Sequence, residues 1–463
     1  MAIITTTNLS SLEFFNRFDG ELYNPHLLSS FRELNRTNYE LKPIGCFCAV
    51  KSGTTPSDRD DSLKDGPILF KTTDIRNNVL SPFNNYYHIS SVIHNRMHKT
   101  QLKGNDVLLN IVGATLDVIG RSAIVKNDIK EANITQAMVF LRIIKNNFKP
   151  GFLFAYLNTK YAQDQIKRYA RPTGQYNLNL MEVRKILVPE IAENIQSEID
   201  ELVSQSGFLQ SQSHALYHQA EELLSRGLQL DKLQLPQNKW YTTQYSEVVR
   251  AQRLDSNHFR DAYSCLFEFL NSRFQCKFVK QFVSVNRRGL QPNYAENGDI
   301  MVVNSKHLSS THINYDQTEK TTKEEFAKQQ VAQIRNGDVL VYTTGAYIGL
   351  TNAFNSDELA MASNHVNILR LSDPKIDPNY LAMVFNSIVG QMQTQKHSRG
   401  SAQLELYPAD IDKFIIPMLD EDMMRTIGEK ARNSLKALNQ SKQLLARAKS
   451  RVEELIEQEA SKN

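Results

Sequence analysis

Two stretches with the same heptad pattern, half a chain apart, constrain the fold more than any other feature. In the first, apolar or small residues recur in steps of four and three from Ile195 to Leu223. In the second, the same steps run from Met424 to Leu455, and four positions match the first stretch at a constant offset of 228 residues. An unbroken seam of this kind is typical of a coiled-coil helix. We therefore predict two copies of one long helix, and the simplest partner for each copy is the other.

The predicted seam alternates larger aliphatic residues with a row of small ones, which permits close backbone approach. Its larger members are Ile195, Ile199, Leu202, Leu209, Leu216, Leu223, Ile427, Leu438, Leu445 and Val452. Its small members are Ser206, Ser213, Ala220, Ala431, Ser434, Ser441 and Ala448. A helix of about 34 residues spans roughly 50 Å. An antiparallel pair would place one globular domain at each end of that length.

The repetition extends beyond the helices. Residues 103–114 match residues 335–346, and residues 17–23 resemble residues 253–259. The offset between matching positions falls from 236 to 232 and then to 228, so short insertions separate two otherwise parallel halves. A period this long is that of a duplicated domain and not of a solenoid.

Each copy combines strand and helix signals, which predicts a mixed α/β fold. The β-rich runs 106–112 and 338–342 end at glycine and predict strands. Pro150 and Pro378 suit the first turn of a helix. The predicted parts are a first globular domain at 1–190, a first long helix at 191–226, a connector at 227–248, a second globular domain at 249–418 and a second long helix at 419–463.

Composition indicates an ordinary globular protein. The chain has 463 residues, of which 41% are hydrophobic and 22% charged, with a formal net charge of +4. This charge permits local basic patches but does not by itself argue for nucleic-acid binding. The sequence contains no apolar run near the ~18 residues of a membrane span, and no basic residue precedes Arg17. We expect a cytoplasmic protein with four reduced cysteines, without a secretory signal or membrane association.

The order of these features, twice over, resembles the specificity subunit of a type I restriction–modification system. The matching segments are the two heptad helices, residues 17–23 and 253–259, the loop at 52–57 (SGTTPS), the glycine segments 113–120 and 345–349, and residues 175–189 and 403–417. The second copy has no clear counterpart of the loop at 52–57, and residues 286–292 fall at a similar place. The resemblance implies two target-recognition domains, each reading one half of a bipartite, asymmetric DNA site. It also implies that the two helices pair as an antiparallel coiled coil with pseudo-twofold symmetry and fix the unread spacer.

The same resemblance implies partners and a division of labour. The chain would bind double-stranded DNA, two modification subunits that methylate adenine, and restriction subunits with translocase activity. S-adenosylmethionine, ATP and Mg are expected on those partners, with no cofactor bound by this chain. The chain itself would be non-catalytic.

Candidate DNA contacts follow from the chemistry of recognition. Guanine is read chiefly by Arg or Lys and adenine by Asn or Gln, while Lys, Arg and Thr also contact phosphates. In the first copy the candidates are Lys71, Arg76, Asn77, Arg96, Lys99, Arg171, Thr173 and Gln175. In the second copy they are Arg287, Arg288, Gln291, Lys306, Thr344, Tyr347, Lys396, Arg399 and Gln403. For any one of them, a solvated surface side chain is the alternative.

Recurrence separates these candidates into two groups. Arg171 and Arg399 occupy equivalent positions, as do Gln175 and Gln403, which favours a common role in phosphate anchoring or in structure. Two different half-sites require different readers. Base contacts are therefore predicted for Arg76, Arg96, Arg287 and Arg288, which lie in loops that differ between the copies.

The sequence contains one segment that only resembles a catalytic motif, and it lacks the other catalytic motifs considered. Residues 377–380 (DPNY) resemble the catalytic motif of adenine methyltransferases, but the repeat partner 149–152 (KPGF) lacks both the carboxylate and the amide. The interpretation favoured is a proline that starts a helix. The sequence has no G-x-x-x-x-G-K-[ST] loop for ATP, and its histidines show no metal-ligand spacing.

Two other function classes stay open from the sequence. The duplicated domains could form a protein-binding scaffold on a coiled-coil spacer, or the chain could read DNA within a related phage-defence system. A stand-alone methyltransferase is a third hypothesis, which would depend on Asn379.

Overall fold

The computed structural model describes residues 20–76, 78–80, 86–145, 147–238, 240–400 and 403–462, without the side chains of residues 20, 21 and 173. It mixes α-helices and β-strands and divides into two compact units. The first unit comprises residues 1–211 and 437–463, and the second comprises residues 212–436. Each unit contains one globular part and part of both long helices, and each is described by itself below.

The described α-helices range from four to 40 residues. The α-helices are α1 (Pro25–Asn35), α2 (Ser91–Arg96), α3 (Pro150–Leu157), α4 (Lys160–Tyr169), α5 (Leu180–Lys185), α6 (Glu193–Gly227), α7 (Tyr245–Ala251), α8 (Asp261–Arg273), α9 (Lys323–Lys328), α10 (Pro378–Asn386), α11 (Ile388–His397), α12 (Pro408–Ile411) and α13 (Glu421–Ala460). Short 3-10 helices lie at Gly20–Tyr23, Ile44–Cys46, Thr72–Asp74, His98–Thr100, Leu230–Lys232, Ser256–Phe259, Val279–Gln281, Ser305–His307, Tyr315–Gln317 and Gln330–Ala332.

The strands of the first unit form small sheets around one four-stranded sheet. They are β1 (Leu41–Pro43), β2 (Cys48–Ser52), β3 (Ile68–Phe70), β4 (Ile75–Arg76), β5 (Val79–Leu80), β6 (Val107–Asn110), β7 (Val112–Gly113), β8 (Ser122–Ile124), β9 (Ala132–Ile134), β10 (Met138–Ile143), β11 (Arg171–Thr173), β12 (Gln175–Asn177) and β13 (Leu187–Pro189). The main sheet has the order β2-β10-β6-β8 and is antiparallel. Beside it, β1 pairs with β13, β3 pairs in parallel with β9, β4 pairs with β5, and β11-β12-β7 form a three-stranded sheet.

The strands of the second unit repeat this plan. They are β14 (Gln275–Phe278), β15 (Val283–Arg288), β16 (Ile300–Val303), β17 (Glu319–Thr321), β18 (Gln333–Ile334), β19 (Val339–Tyr342), β20 (Thr351–Ala353), β21 (Ala360–Ala362), β22 (Val366–Leu371) and β23 (Ile415–Met418). The main sheet has the order β15-β22-β19-β20, β14 pairs with β23, and the parallel pair β16-β21 is flanked by β17 and β18. The main sheet corresponds to β2-β10-β6-β8 of the first unit, the β14-β23 pair corresponds to β1-β13, and the parallel β16-β21 pair corresponds to β3-β9.

Both proline predictions are confirmed, because Pro150 begins α3 and Pro378 begins α10. The α3 helix is buried from Gly151 to Leu157 and packs against the main sheet of its unit. A helix that is apolar on all sides belongs in a core. The α10 helix occupies the same place in the second core.

In the first unit, α6 contacts the last part of α13. The side-chain nitrogen of Arg451 lies 3.8 Å from the carboxylate of Glu198. Further along α6, the hydroxyl of Ser206 lies 2.8 Å from the hydroxyl of Ser441, and both residues are buried. A later position on α6 therefore meets an earlier position on α13.

In the second unit, the end of α6 contacts the beginning of α13 in the same sense. The hydroxyls of Ser213 and Ser434 lie 3.0 Å apart in a buried contact. Beyond them, the ammonium group of Lys430 donates to the side-chain oxygen of Gln219 over 2.8 Å. Here too, residues further along α6 meet residues nearer the start of α13.

The small residues of the predicted seam are more buried than most of the large ones. Ser206, Ser213, Ala220, Ser434, Ser441 and Ala448 are all at most 4% exposed. Of the larger members, Ile199, Ile427 and Val452 are fully buried. Ile195, Leu202, Leu209, Leu216, Leu223, Leu438 and Leu445 are half-buried. The small row therefore faces the neighbouring helix, and most of the leucines flank it.

A buried carboxylate holds an arginine of the central strand in each unit. Asp106 accepts two hydrogen bonds from Arg142 at 2.6 and 2.7 Å, and Asp338 accepts two from Arg370 at 2.6 and 2.8 Å. Both carboxylates are at most 2% exposed. These bidentate pairs tie the turn before β6 or β19 to β10 or β22.

A buried glutamine provides a second recurring contact. The side chain of Gln165 accepts from the backbone nitrogen of Leu187 and donates to its carbonyl, at 2.9 and 3.1 Å. Gln393 makes the same two bonds to Ile415, at 2.6 and 2.9 Å. In each unit this amide fixes the last strand before the long helix to an earlier helix, which is α4 in the first unit and α11 in the second.

The loop at 52–57 has a backbone counterpart in the second unit, although its residue types differ. A Cβ atom on Gly53 would lie 1.8 Å from the carbonyl oxygen of Ile134, and one on Gly289 would lie 2.1 Å from that of Ala362. Both strands therefore leave the sheet through a junction that only glycine fits. The expectation that residues 286–292 fall at a similar place agrees with this geometry.

We predict that removing the buried carboxylate of the first unit destabilises the fold. An Asp106→Ala substitution leaves the guanidinium of Arg142 without its partner and should cost about 3 kcal/mol of unfolding free energy. The measurement is urea denaturation followed by circular dichroism. Asp117→Ala is the matched control, because it breaks an exposed pair with Arg121 and should cost only about 0.5 kcal/mol. Equal losses for the two variants would contradict the assigned role of Asp106.

Candidate nucleic-acid interface

In the second unit, several predicted DNA contacts lie at the edge of the main sheet where β15 and β19 end. Arg288 is the last residue of β15 and pairs with Asn367 on β22. Thr344 follows β19, and both Thr344 and Arg399 form backbone bridges with Glu405. The structure thus brings Arg288, Thr344 and Arg399 together around one short segment.

Arg288 is partly held in place and keeps donor capacity. Its Nη2 donates to the carbonyl of Leu406 over 3.0 Å, and its guanidinium lies 4.8 Å from the ring centre of Tyr407. Among the described residues, no acceptor reaches the buried Nε of Arg287 or of Arg288. A buried donor left without a partner is costly. The side chain of Arg288 is 24% exposed and its Nη2 lies 3.8 Å from the carboxylate of Glu405, so a ligand with acceptor atoms would meet its outer nitrogens and not the buried Nε.

The recurring arginines both bind a buried carboxylate. Arg171 contacts Glu182 at 2.6 Å, and Arg399 contacts Asp410 at 3.0 Å. Burial raises the pKa of Asp410, but hydrogen bonds from Arg399 and Lys413 outweigh it and hold that pKa below the usual value. Of the two roles that the sequence left open, this geometry supplies a structural one. Contact with phosphate stays a prediction.

The equivalent edge of the first unit carries other residues. Gln175 lies in β12, which pairs with β11 and with β7 at Gly113. Ser52 takes the register of Arg288, because it ends β2 and pairs with Val139 of β10. Its neighbour Lys51 is exposed and corresponds to Arg287. Sequence reasoning missed Lys51, although the offset of 236 between the early segments would have found it.

A second group in the first unit gathers Lys71 and Arg96. The ammonium group of Lys71 lies 3.9 Å from the ring centre of Tyr87. Arg96 makes two hydrogen bonds to Asp58, at 2.6 and 2.9 Å, and these bonds lower the pKa of that carboxyl. Arg59 also approaches Tyr87, with 5.9 Å to the ring centre. Tyr87 and Arg59 were not predicted, because only tertiary contact places them beside Lys71.

The remaining described candidates are either exposed or bound to a neighbouring residue. Gln291, Tyr347 and Gln403 are exposed, and so are Arg76 and Lys99. Lys306 forms an ion pair with Glu319. Lys396 donates to the carbonyl of His258 over 2.8 Å. Asn77 and the side chain of Thr173 lie outside the described residues.

The segment that resembles a methyltransferase motif has a structural role. Asp377 caps α10, accepting from the backbone nitrogens of Asn379 and Tyr380 at 2.8 and 3.3 Å. Tyr380 is fully buried and donates to the carbonyl of Pro417 over 2.7 Å. Asn379 exchanges hydrogen bonds with Asn355. This agrees with the interpretation of a proline-started helix.

Metal and membrane sites have little support in the described part of the chain. No three of its His, Cys, Asp or Glu side chains are grouped as metal ligands would be. His94 is buried and hydrogen-bonds Asn133 over 2.6 Å. Within the same residues, no helix combines the length and the apolar content of a membrane span.

Comparison with known families bears on residues 271–422, which match the family model described as the type I restriction modification DNA specificity domain. Residues 271–422 are thus similar to a type I restriction modification DNA specificity domain. The predicted resemblance is therefore confirmed for this part of the chain. The description of this family names DNA specificity, so the match indicates that residues 271–422 serve DNA recognition and not catalysis.

Solved structures of specificity subunits are similar over most of the chain, at low identity. The S subunit of the type I restriction–modification system from M. genitalium is 12% identical, with a TM-score of 0.46, covering 92% of this chain and 96% of that one. The HsdS subunit from Thermoanaerobacter tengcongensis is 12% identical, with a TM-score of 0.28, covering 90% and 96%. TM-scores below 0.5 do not establish a shared fold, so the specificity-domain assignment rests on the family match. No curated protein is significantly similar in sequence.

We predict that Asp410 of the specificity domain makes stability depend on pH at the acid end. Its folded pKa lies below the unfolded value of about 3.9, so its contribution is complete above about pH 4 and is lost as pH falls through the folded pKa. Asp410→Asn should lower the melting temperature at pH 7, and the difference from the native chain should shrink below about pH 4. Asp299→Asn, at an exposed carboxylate, is the control. A difference that stays constant down to the acid end would contradict the assignment.

Proposed function

We propose that the chain is the DNA sequence-specificity subunit of a type I restriction–modification complex. Each unit acts as a target-recognition domain for one half of a bipartite, asymmetric site. The observation that carries the proposal is a recurring frame with different residues at one edge. Lys51 and Ser52 stand in the first unit where Arg287 and Arg288 stand in the second. A shared scaffold with different readers is what two different half-sites require.

The family match extends the proposal from the second unit to the first. Residues 271–422 lie in the second unit, and the frame contacts made there by Asp338 and Gln393 are made in the first unit by Asp106 and Gln165. The same order of strands supports the same origin. Both halves are therefore proposed to recognise DNA.

The long helices are proposed to pair as an antiparallel coiled coil with pseudo-twofold symmetry. The serine contacts and the polar pairs beside them support this, since in each unit the contacts run in opposite directions along α6 and α13. Such a pair gives the spacer between the half-sites a fixed length. At 1.5 Å per residue, the 35 residues of α6 span about 52 Å.

The proposed partners are two modification subunits and the restriction subunits of the complex, docked on this chain. Adenine methylation with S-adenosylmethionine, and translocation with ATP and Mg, would take place on those partners. This chain would recognise the DNA site and bind no cofactor. The proposed location is the cytoplasm.

Arg287 and Arg288 are proposed to read bases in one half-site, because they lie at the edge of the sheet where the residues of the two copies differ. An Arg287→Ala or Arg288→Ala substitution should weaken binding to the cognate duplex by about 1–3 kcal/mol and relax discrimination at one half only. Methylome sequencing identifies the site, and binding is then measured on duplexes with single-base changes. Lys323→Gln, at an exposed lysine paired with Asp299, is the control. Equal losses at both halves would contradict base reading by these arginines.

A fixed spacer predicts sharp sensitivity to its length. One added base pair moves one half-site by about 3.4 Å and rotates it by roughly 35° relative to the other. Binding by the chain with its modification subunits should fall about 100-fold or more, as when several base contacts are lost. Affinity that does not change with spacer length would contradict the paired helices as a ruler. Partner binding without any affinity for DNA would indicate a protein scaffold instead.

A further inference from the structure

The recurring segment 253–259 forms hydrogen bonds with the end of α11. The guanidinium of Arg253 donates to the carbonyls of His397 and Ser398, at 3.0 and 2.7 Å, and makes two bonds of 2.7 Å to Asp255. Its side chain is only 8% exposed. In return, Lys396 donates to the carbonyl of His258 over 2.8 Å. The segment is thus hydrogen-bonded to the end of α11 from both sides of the contact.

A basic cavity of about 730 Å³ lies beside this contact between residues 253–259 and α11, within the second unit. Its cationic lining residues are Arg250, Arg253, Lys396, Arg399 and Lys413, and its acidic lining residues are Glu247, Asp261 and Asp410. Arg399 also belongs to the sheet edge that carries Arg288 and Thr344, through its backbone bridge to Glu405. The cavity therefore adjoins the proposed DNA-reading edge.

The cations that line this basic cavity are only partly neutralised. Arg399 uses Nε and Nη2 on Asp410, and Lys413 shares the same carboxylate at 3.1 Å. Burial lowers the pKa of Lys396 and the charge of Arg253 lowers it further, and the carboxylates of Glu247 and Asp255 only partly oppose this shift. Positive groups are thus crowded at the cavity wall. An oxyanion bound there would relieve their repulsion.

Four of the five cationic positions of the cavity are basic in both copies of the repeat. The equivalent pairs are Arg17 and Arg253, Arg168 and Lys396, Arg171 and Arg399, and Lys185 and Lys413. Arg17 lies outside the described residues. Arg168 donates to the carbonyl of Leu22 over 2.6 Å, which is the equivalent of the bond from Lys396 to His258. These four basic positions are thus common to both copies, whereas the proposed base-reading residues Arg287 and Arg288 differ from their counterparts Lys51 and Ser52.

A charge pattern shared by two readers of different sequence needs a ligand group that both half-sites share. Bases differ between half-sites, whereas backbone phosphates are the same in every duplex and fix orientation without carrying sequence. We propose that the basic cavity, and the exposed equivalent positions Arg171 and Lys185 in the first copy, bind phosphate oxygens of the nucleic-acid backbone beside each half-site. This rests on the proposed function for its DNA partner.

The experiment removes one exposed lysine from each copy. Lys185→Gln with Lys413→Gln leaves both buried carboxylates bound to their arginines. DNA binding by the full chain with its modification subunits is measured at several salt concentrations on cognate and unrelated duplexes. Each lost phosphate contact reduces the slope of log affinity against log salt by about 0.9. We expect a reduction of about two, equal on both duplexes, and no change for the control pair Lys130→Gln with Lys328→Gln.

A second arm separates the phosphate site from the DNA function. Thermal unfolding of the full chain is followed with added tripolyphosphate, which should stabilise the native chain but not the Lys185→Gln and Lys413→Gln variant. Stabilisation without any DNA binding would reject the proposed function and leave a site for soluble polyphosphate. Sequence-specific DNA binding with an unchanged slope and no effect of tripolyphosphate would overturn the inference alone. A loss confined to the cognate duplex would also overturn it, since it would indicate base reading.

Discussion

Close contact between two helix backbones through small, hydrogen-bonded side chains is the constraint on which the rest of the molecule depends. Ser206 with Ser441, and Ser213 with Ser434, are buried and satisfy each other's hydroxyls. In a seam of leucines alone, a helix can shift by a heptad at little cost. A buried polar pair opposes such a shift, because it would leave a hydroxyl without a partner. The contact therefore fixes register as well as distance.

Around this contact, each unit separates its charges into those that build the frame and those that are available to a ligand. Asp106 and Asp338 each take up an arginine from a central strand, and Glu182 and Asp410 take up another beside the sheet edge. The net charge of +4 is thus a poor guide to DNA binding. What counts is which cations remain after the buried acids have been paired.

The sequence predicted those features that depend on local pattern. Heptad spacing and the positions of Pro150 and Pro378 indicated helices, and the constant offset indicated the duplication, because both signals survive without knowledge of tertiary contacts. Ion-pair partners could not be predicted in this way. Arg171 meets Glu182 eleven positions away, and Arg96 meets Asp58 at a separation of 38. Such pairs depend on the tertiary arrangement of strands and loops, which residue type alone does not reveal.

The glycine junctions at Gly53 and Gly289 bear on how new recognition could arise. At either position a side chain would collide with a carbonyl of the neighbouring segment. Glycine is therefore required at the point where the strand leaves the sheet. The residues beyond it carry no such restriction, as the different chemistry of the two copies illustrates. A whole loop beyond this glycine could therefore be replaced, by recombination or by design, while the glycine and the core that supports the loop stay unchanged.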